Sequence, residues 1–187
     1  MKTKIKCILM VLFLILGAPL AARATLVDSN SIIQDGIEYY IQTDRFAYDV
    51  GENVEILYRV TNLTANSIDI GIAPTYLWCD FIITNNNNTD IWQWIRSMPP
   101  CRYEEFYLFP YESKEFQITW DMISDNGTFG NHSDDYLIGP DSYHITGYLT
   151  ALSGYEIVPV SVSIEVIPEP ATLLLLCLGG IILKSRK

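Results

Sequence analysis

The stretch Val158-Pro159-Val160-Ser161-Val162-Ser163-Ile164-Glu165-Val166 decides the fold class. Apolar side chains at 158, 160, 162, 164 and 166 alternate with Ser161, Ser163 and Glu165, so one face is apolar and the other polar only if the chain is extended. The same period of two recurs upstream. Ile37, Tyr39 and Ile41 oppose Glu38 and Gln42; Val54, Ile56, Tyr58 and Val60 oppose Glu55 and Arg59; Ile68, Ile70 and Ile72 flank Asp69 and Gly71. Cys79, Phe81 and Ile83, then Ile91 to Trp94, then Phe106 to Phe109, Glu115 to Trp120 and Tyr143 to Leu149 continue it. Turn chemistry separates these runs: Asp49-Val50-Gly51-Glu52, Asn62 to Asn66, Asn85 to Asn88 and Glu112-Ser113-Lys114. Residues 121–140 form the longest irregular stretch. About seven to nine short strands at such spacing predict a single all-β domain, an antiparallel β-sandwich with one face of each sheet buried.

Beyond Val166 the character changes. Pro168-Glu169-Pro170 precedes an uncharged apolar run from Ala171 to Leu183, which ends in Lys184-Ser185-Arg186-Lys187. The prolines block a helix entering from the strand. As a helix the run is roughly 20 Å long at ~1.5 Å per residue, short of a ~30 Å hydrocarbon core. The basic cluster Lys184, Arg186 and Lys187 acts as a stop-transfer signal. A plain tail anchor is one reading of these parts. Their order and position resemble a PEP-CTERM sorting signal, which implies an exported bacterial protein held transiently in the inner membrane and processed by an exosortase near Pro168, Glu169 and Pro170.

The other terminus agrees. Lys2, Lys4 and Lys6 precede the apolar Ile8 to Leu16, and Ala22-Arg23-Ala24 offers a small-x-small cleavage site. The expected parts are a signal peptide at 1–24, a lead-in segment at 25–36, the β-domain at 37–167 and the sorting signal at 168–187. Residues 25–167 hold 21 Asp/Glu against 5 Lys/Arg, a formal charge of −16 that excludes nucleic acid and anionic lipid as partners. With Cys7 and Cys177 in the terminal segments, Cys79 and Cys101 are left together in an oxidising compartment and are expected to pair.

The middle of the chain carries a second resemblance. Val60-Thr61-Asn62, Asp80-Phe81, Trp92-x-Trp94, Trp120 and Tyr143-x-x-x-Gly147-Tyr148-Leu149 follow one another in an order similar to the BsuPI family, named for an intracellular proteinase inhibitor. The likeness implies an immunoglobulin-like sandwich and, as a candidate activity, proteinase inhibition. The Gly-x-Tyr step of the family is stretched here to Gly139-Pro140-Asp141-Ser142-Tyr143, and export departs from the namesake's intracellular setting.

Little in the chain suggests catalysis. His132 and His144 have no second ligand at metal spacing, and no Gly-x-Ser-x-Gly elbow occurs. No enzyme, no cofactor and no metal are expected. A calcium site at Asp121, Asp125, Asp134 and Asp135 is the alternative to a solvated acidic loop. Trp92 and Trp94 share one face, which packs on the core or, if solvated, contacts a protein or an exopolysaccharide. Met98 and Arg102 flank Pro99-Pro100 and are the candidate anchors if the partner is a protease. The expected function is an exported non-enzymatic interaction module of the cell envelope or extracellular matrix, with a secreted proteinase inhibitor as the alternative.

Overall fold

A computed structural model describes residues 27–74, 78–97, 103–125, 135–150 and 158–168. Among these residues the chain is all-β. In chain order the strands are β1 (Ser29–Gln34), β2 (Ile37–Thr43), β3 (Ala47–Asp49), β4 (Val54–Asn62), β5 (Ile68–Pro74), β6 (Cys79–Asn85) and β7 (Asp90–Gln93). After a 3-10 turn at Trp94–Ser97 come β8 (Tyr103–Leu108), β9 (Ser113–Trp120), β10 (Ile123–Ser124), β11 (Tyr136–Leu137), β12 (Asp141–Leu149) and β13 (Val160–Ile167).

Two larger sheets result. One has the antiparallel order β1-β2-β4-β9; the other has the order β3-β13-β12-β6-β7, in which β3 pairs parallel with β13. The pairs β5-β8 and β10-β11 form two separate ribbons. The sheets exist because alternation is nearly perfect: along β4 every second residue from Val54 to Val60 is fully buried, and in β13 Val160, Val162, Ile164 and Val166 are buried. The two inner faces meet in one core. There Tyr58 of β4 meets Phe81 of β6 edge-to-face, with ring centroids 6.1 Å apart. Gly147 of β12 lies so close to Tyr58 that a Cβ there would sit 2.9 Å from its ring.

Three local expectations change. Part of the expected lead-in is strand β1, joined to β2 by Asp35 and Gly36 at φ +51° and +78°, the two left-handed residues that a tight hairpin needs. β1 also seals the side of the molecule: Asn30 Nδ2 donates to Ser161 O at 3.0 Å, and Ser163 N–H donates to Asp28 Oδ2 at 3.1 Å. The turn before β9 lies at 109–112 rather than 112–114, because Tyr111 takes φ +61° and Glu112 Oε2 accepts the Phe109 N–H at 2.7 Å. Finally, β7 stops at Gln93, so Trp94 belongs to the 3-10 turn.

A buried Asn62 ties that turn to the loop after β4. Its Nδ2 donates to Asn66 O, Leu108 O and Phe109 O, and its Oδ1 accepts from Thr64 N–H and Oγ1–H. This end of β4 lies ~30 Å, nine residues of strand, from the end where β4 begins. The chain leaves the domain at the latter end, where Val50 N–H donates to Ile167 O at 3.3 Å.

Candidate binding cleft

Beside that exit the surface opens into a cleft of about 820 Å³, lined by Gly51, Trp92, Asp121, Ile123, Ser124, Asp125, Asp135, Tyr136 and Leu137. Its floor is the turn that follows β9. Met122 is fully buried and takes φ +62°, a conformation that an unbranched non-glycine residue adopts only at some cost. That twist sends Met122 into the core while Asp121 and Ile123 stay exposed on either side of it. The twist is held by three bonds: Trp120 Nε1–H to Ile123 O at 3.1 Å, Ile123 N–H to Asp121 Oδ1 at 3.1 Å, and Ile138 N–H to Met122 O at 3.0 Å.

The back wall is β7. Asp125 Oδ2 accepts the Gln93 N–H at 3.1 Å, while Asp125 N–H and Ser124 Oγ–H both donate to Ile91 O. Trp92 is partly buried, packs against Trp120 with ring centroids 6.4 Å apart, and presents its remaining surface to the cleft. The front rim is the ribbon β10-β11, in which Tyr136 is 49% and Leu137 53% exposed. The cleft is therefore part apolar, part carboxylate, and has no Lys or Arg among its described lining residues.

Next to it a buried polar network fixes β7. Asp80, fully buried on β6, accepts from Gln93 Nε2–H at 2.6 Å, Tyr148 Oη–H at 2.7 Å and Ile95 N–H at 3.0 Å. Burial, and then the bond to Asp80, push the Tyr148 hydroxyl far above its ordinary pKa, so it remains a donor. This network fixes the start of the 3-10 turn at Trp94–Ser97.

The expected site residues fall into distinct places. Asp121, Asp125 and Asp135 all reach the cleft, together with Trp92. Among the described residues no group of three or more carboxylates, thiols or imidazoles is arranged to hold a metal ion, and Asp134 lies outside them. Trp94 packs edge-to-face on Phe81 at 5.7 Å instead of joining the cleft. Cys79 is fully buried, which drives its pKa well up, and it has no disulfide partner among the described residues; Cys101, Met98 and Arg102 lie outside them. Pro168 follows β13 directly, whereas Glu169, Pro170, Lys184, Arg186 and Lys187 lie outside the described residues. No helix among the described residues is long and apolar enough to cross a membrane. Sequence reasoning missed Gly51, Ile123, Tyr136 and Leu137. The two-residue ladder of β10-β11 is too short to leave a periodic signal, although Asp135-Tyr136-Leu137 marks an apolar step out of an acidic loop.

Three described cations, Arg45, Arg59 and Lys114, are committed elsewhere. Arg45 bridges Asp44 and Glu52 at 3.2 and 3.0 Å and lies over the Tyr48 ring. Arg59 sits between Glu38 and Glu115 and over Tyr40, and Lys114 covers the rings of Trp78 and Phe106.

Comparison with known proteins bears mainly on the C-terminus. Residues 166–187 match the PEP-CTERM protein-sorting motif. No curated protein sequence matches the chain. Among solved structures, the C-terminal domain of Wzt is similar over 75% of this chain and 77% of its own, at 10% identity and TM-score 0.41. The β-glucosidase EmGH1 of Erythrobacter marinus is similar over 75% of this chain but 16% of its own, at 9% identity and TM-score 0.40. The alkylpurine DNA glycosylase AlkC of Pseudomonas fluorescens covers 75% and 30%, at 7% identity and TM-score 0.36. These identities and scores are too low to transfer a function. The motif match stands apart from them. Such motifs are exosortase substrates, which supports exosortase processing, export, transient anchoring through the C-terminal region and sorting to the cell surface.

Proposed function

We propose that the chain is an exported, non-enzymatic interaction module that works at the cell envelope or in the extracellular matrix through the cleft beside its C-terminal exit. The observation that carries this reading is the cleft itself. A rigid β-scaffold places Trp92, three carboxylates and an exposed apolar ribbon around one opening, next to the strand that runs into the sorting motif. Both carboxylates whose bonds are described, Asp121 and Asp125, accept backbone N–H groups. That engagement suits a fixed binding wall better than a proton-transfer role.

We further propose an immunoglobulin-like sandwich of BsuPI type. Two sheets packed across a common core support it. So does Tyr143 at the start of β12, whose Oη–H donates to Gly139 O at 2.8 Å, four residues upstream, in the manner of a tyrosine corner. The expected pairing of Cys79 with Cys101 belongs to this proposal as an adaptation to export.

The test is photocrosslinking in the producing cell. A benzophenone amino acid at Tyr136 should yield a specific adduct, whereas the same group at Gln117, on the exposed face of β9, should not. Equal labelling at both positions, or none at Tyr136, would overturn the cleft as the working surface.

A further inference from the structure

The ligand class follows from the cleft's chemistry. We infer that it is a subsite for an amine-bearing saccharide, an inference that rests on the interaction-module reading and makes it specific. Its volume of about 820 Å³ falls within the ~300–1,000 Å³ typical of small-ligand sites. Trp92 and Tyr136, with Ile123 and Leu137, supply flat or apolar surface of the kind that receives the C–H face of a pyranose ring. Ionised carboxylates accept hydrogen bonds and cannot donate, so Asp121, Asp125 and Asp135 call for a ligand rich in donors. Ser124, the one hydroxyl besides that of Tyr136 among the described lining residues, already donates to Ile91 O.

Charge narrows the class. No Lys or Arg is among the described residues that line the cleft, and the domain's formal charge of −16 repels uronate, sulfate or phosphate groups. An ammonium group gains both from that field and from the carboxylates, and it is favoured over an aromatic face. A lysine-rich peptide carries the same charge but a different shape. The three carboxylates come from separate places, two flanking the 121–125 turn and one preceding β11, and they do not converge as a metal-binding group would. A lysine presents its donors at one tip, whereas the three carboxylates stand apart around the wall. A pyranose distributes hydroxyls and an amine around an apolar face, which matches acceptors spread around an apolar wall.

The test is titration of the exported chain with glucosamine oligosaccharide, followed by indole fluorescence and by the Trp92 indole NMR signal. Its fully N-acetylated counterpart, a uronate oligosaccharide and tetralysine serve as parallel ligands. The glucosamine oligomer should bind at least tenfold tighter than each of the others and shift the Trp92 signal. Tyr136→Ala and Asp135→Asn should each weaken it tenfold or more, with circular dichroism unchanged. Because Tyr136 is half-exposed in a two-residue ladder, its truncation leaves the sheets intact. Equal binding of the acetylated oligomer would overturn the role of the amine, and equal or tighter binding of tetralysine would overturn the saccharide. No binding by any of the four overturns the ligand class. In that case a Tyr136 crosslink in cells would still uphold the interaction module, and its absence would remove both.

Discussion

Gly147→Ala probes the closest approach of the two sheets. A Cβ at 147 would lie 2.9 Å from Tyr58 Cδ2, 3.3 Å from Tyr58 Cγ and 3.3 Å from Ile41 Cδ1. Neither neighbour yields easily. Tyr58 and Ile41 are both fully buried, and the Tyr58 ring is also wedged against Phe81 and Phe116. Overfilling such a site costs about 1–3 kcal/mol. Replacing glycine restrains the unfolded chain and returns about 0.4–1 kcal/mol. The net expectation is a destabilisation of about 0–2.6 kcal/mol, up to roughly 10 °C in Tm for a domain of this size, against a control that should gain about 0.4–1 kcal/mol. Gly139→Ala is the matched control, because nothing lies within 4 Å of its added Cβ and its φ is not left-handed. Urea unfolding of the two variants beside the parent reads the difference directly. Gly147→Ala as stable as Gly139→Ala would refute the claim that the sheets close on this glycine.

Three further outcomes are expected. Asn62→Ala should cost about 2–4 kcal/mol in urea unfolding, since it strips three donated and two accepted bonds from a buried position and leaves the Leu108 carbonyl without that partner. Asp44 is partly desolvated, yet bonds from Tyr48, the Glu55 N–H and Arg45 outweigh this and hold its pKa below the ordinary 3.8. Its contribution to stability is therefore complete above that value and is lost as pH falls through the lower folded pKa, so Asp44→Asn should flatten the acid limb of a stability-versus-pH curve. In the exported chain Cys79 and Cys101 should form the proposed bond, so that alkylation after unfolding without reductant labels neither; labelling of both would refute it.

The strands were legible because one face of each is buried and alternation leaves a direct trace, as in β4 and β13. Strand β1 was not. Its residues are almost all exposed, and it is held by its hairpin and by side chains of Asp28 and Asn30 that reach β13. Trp92 and the carboxylates could be named from sequence as candidates, but their meeting in one cleft depends on Met122, whose left-handed backbone no local pattern announces. Asp80 was invisible for a related reason. A carboxylate one position out of phase reads as a solvated residue, yet Gln93 and Tyr148, from strands on either side of β6, close over it. Long-range partners decide such positions.

The sorting of this domain underlies every proposal about its cleft, and one measurement tests it most directly. The chain recovered from the surface of the producing cell should be analysed for both termini by mass spectrometry. A chain that begins at Thr25 and ends at or near Pro168-Glu169-Pro170, lacking Lys184 to Lys187, is the expected result. A surface chain that retains Lys187 would contradict processing at the motif.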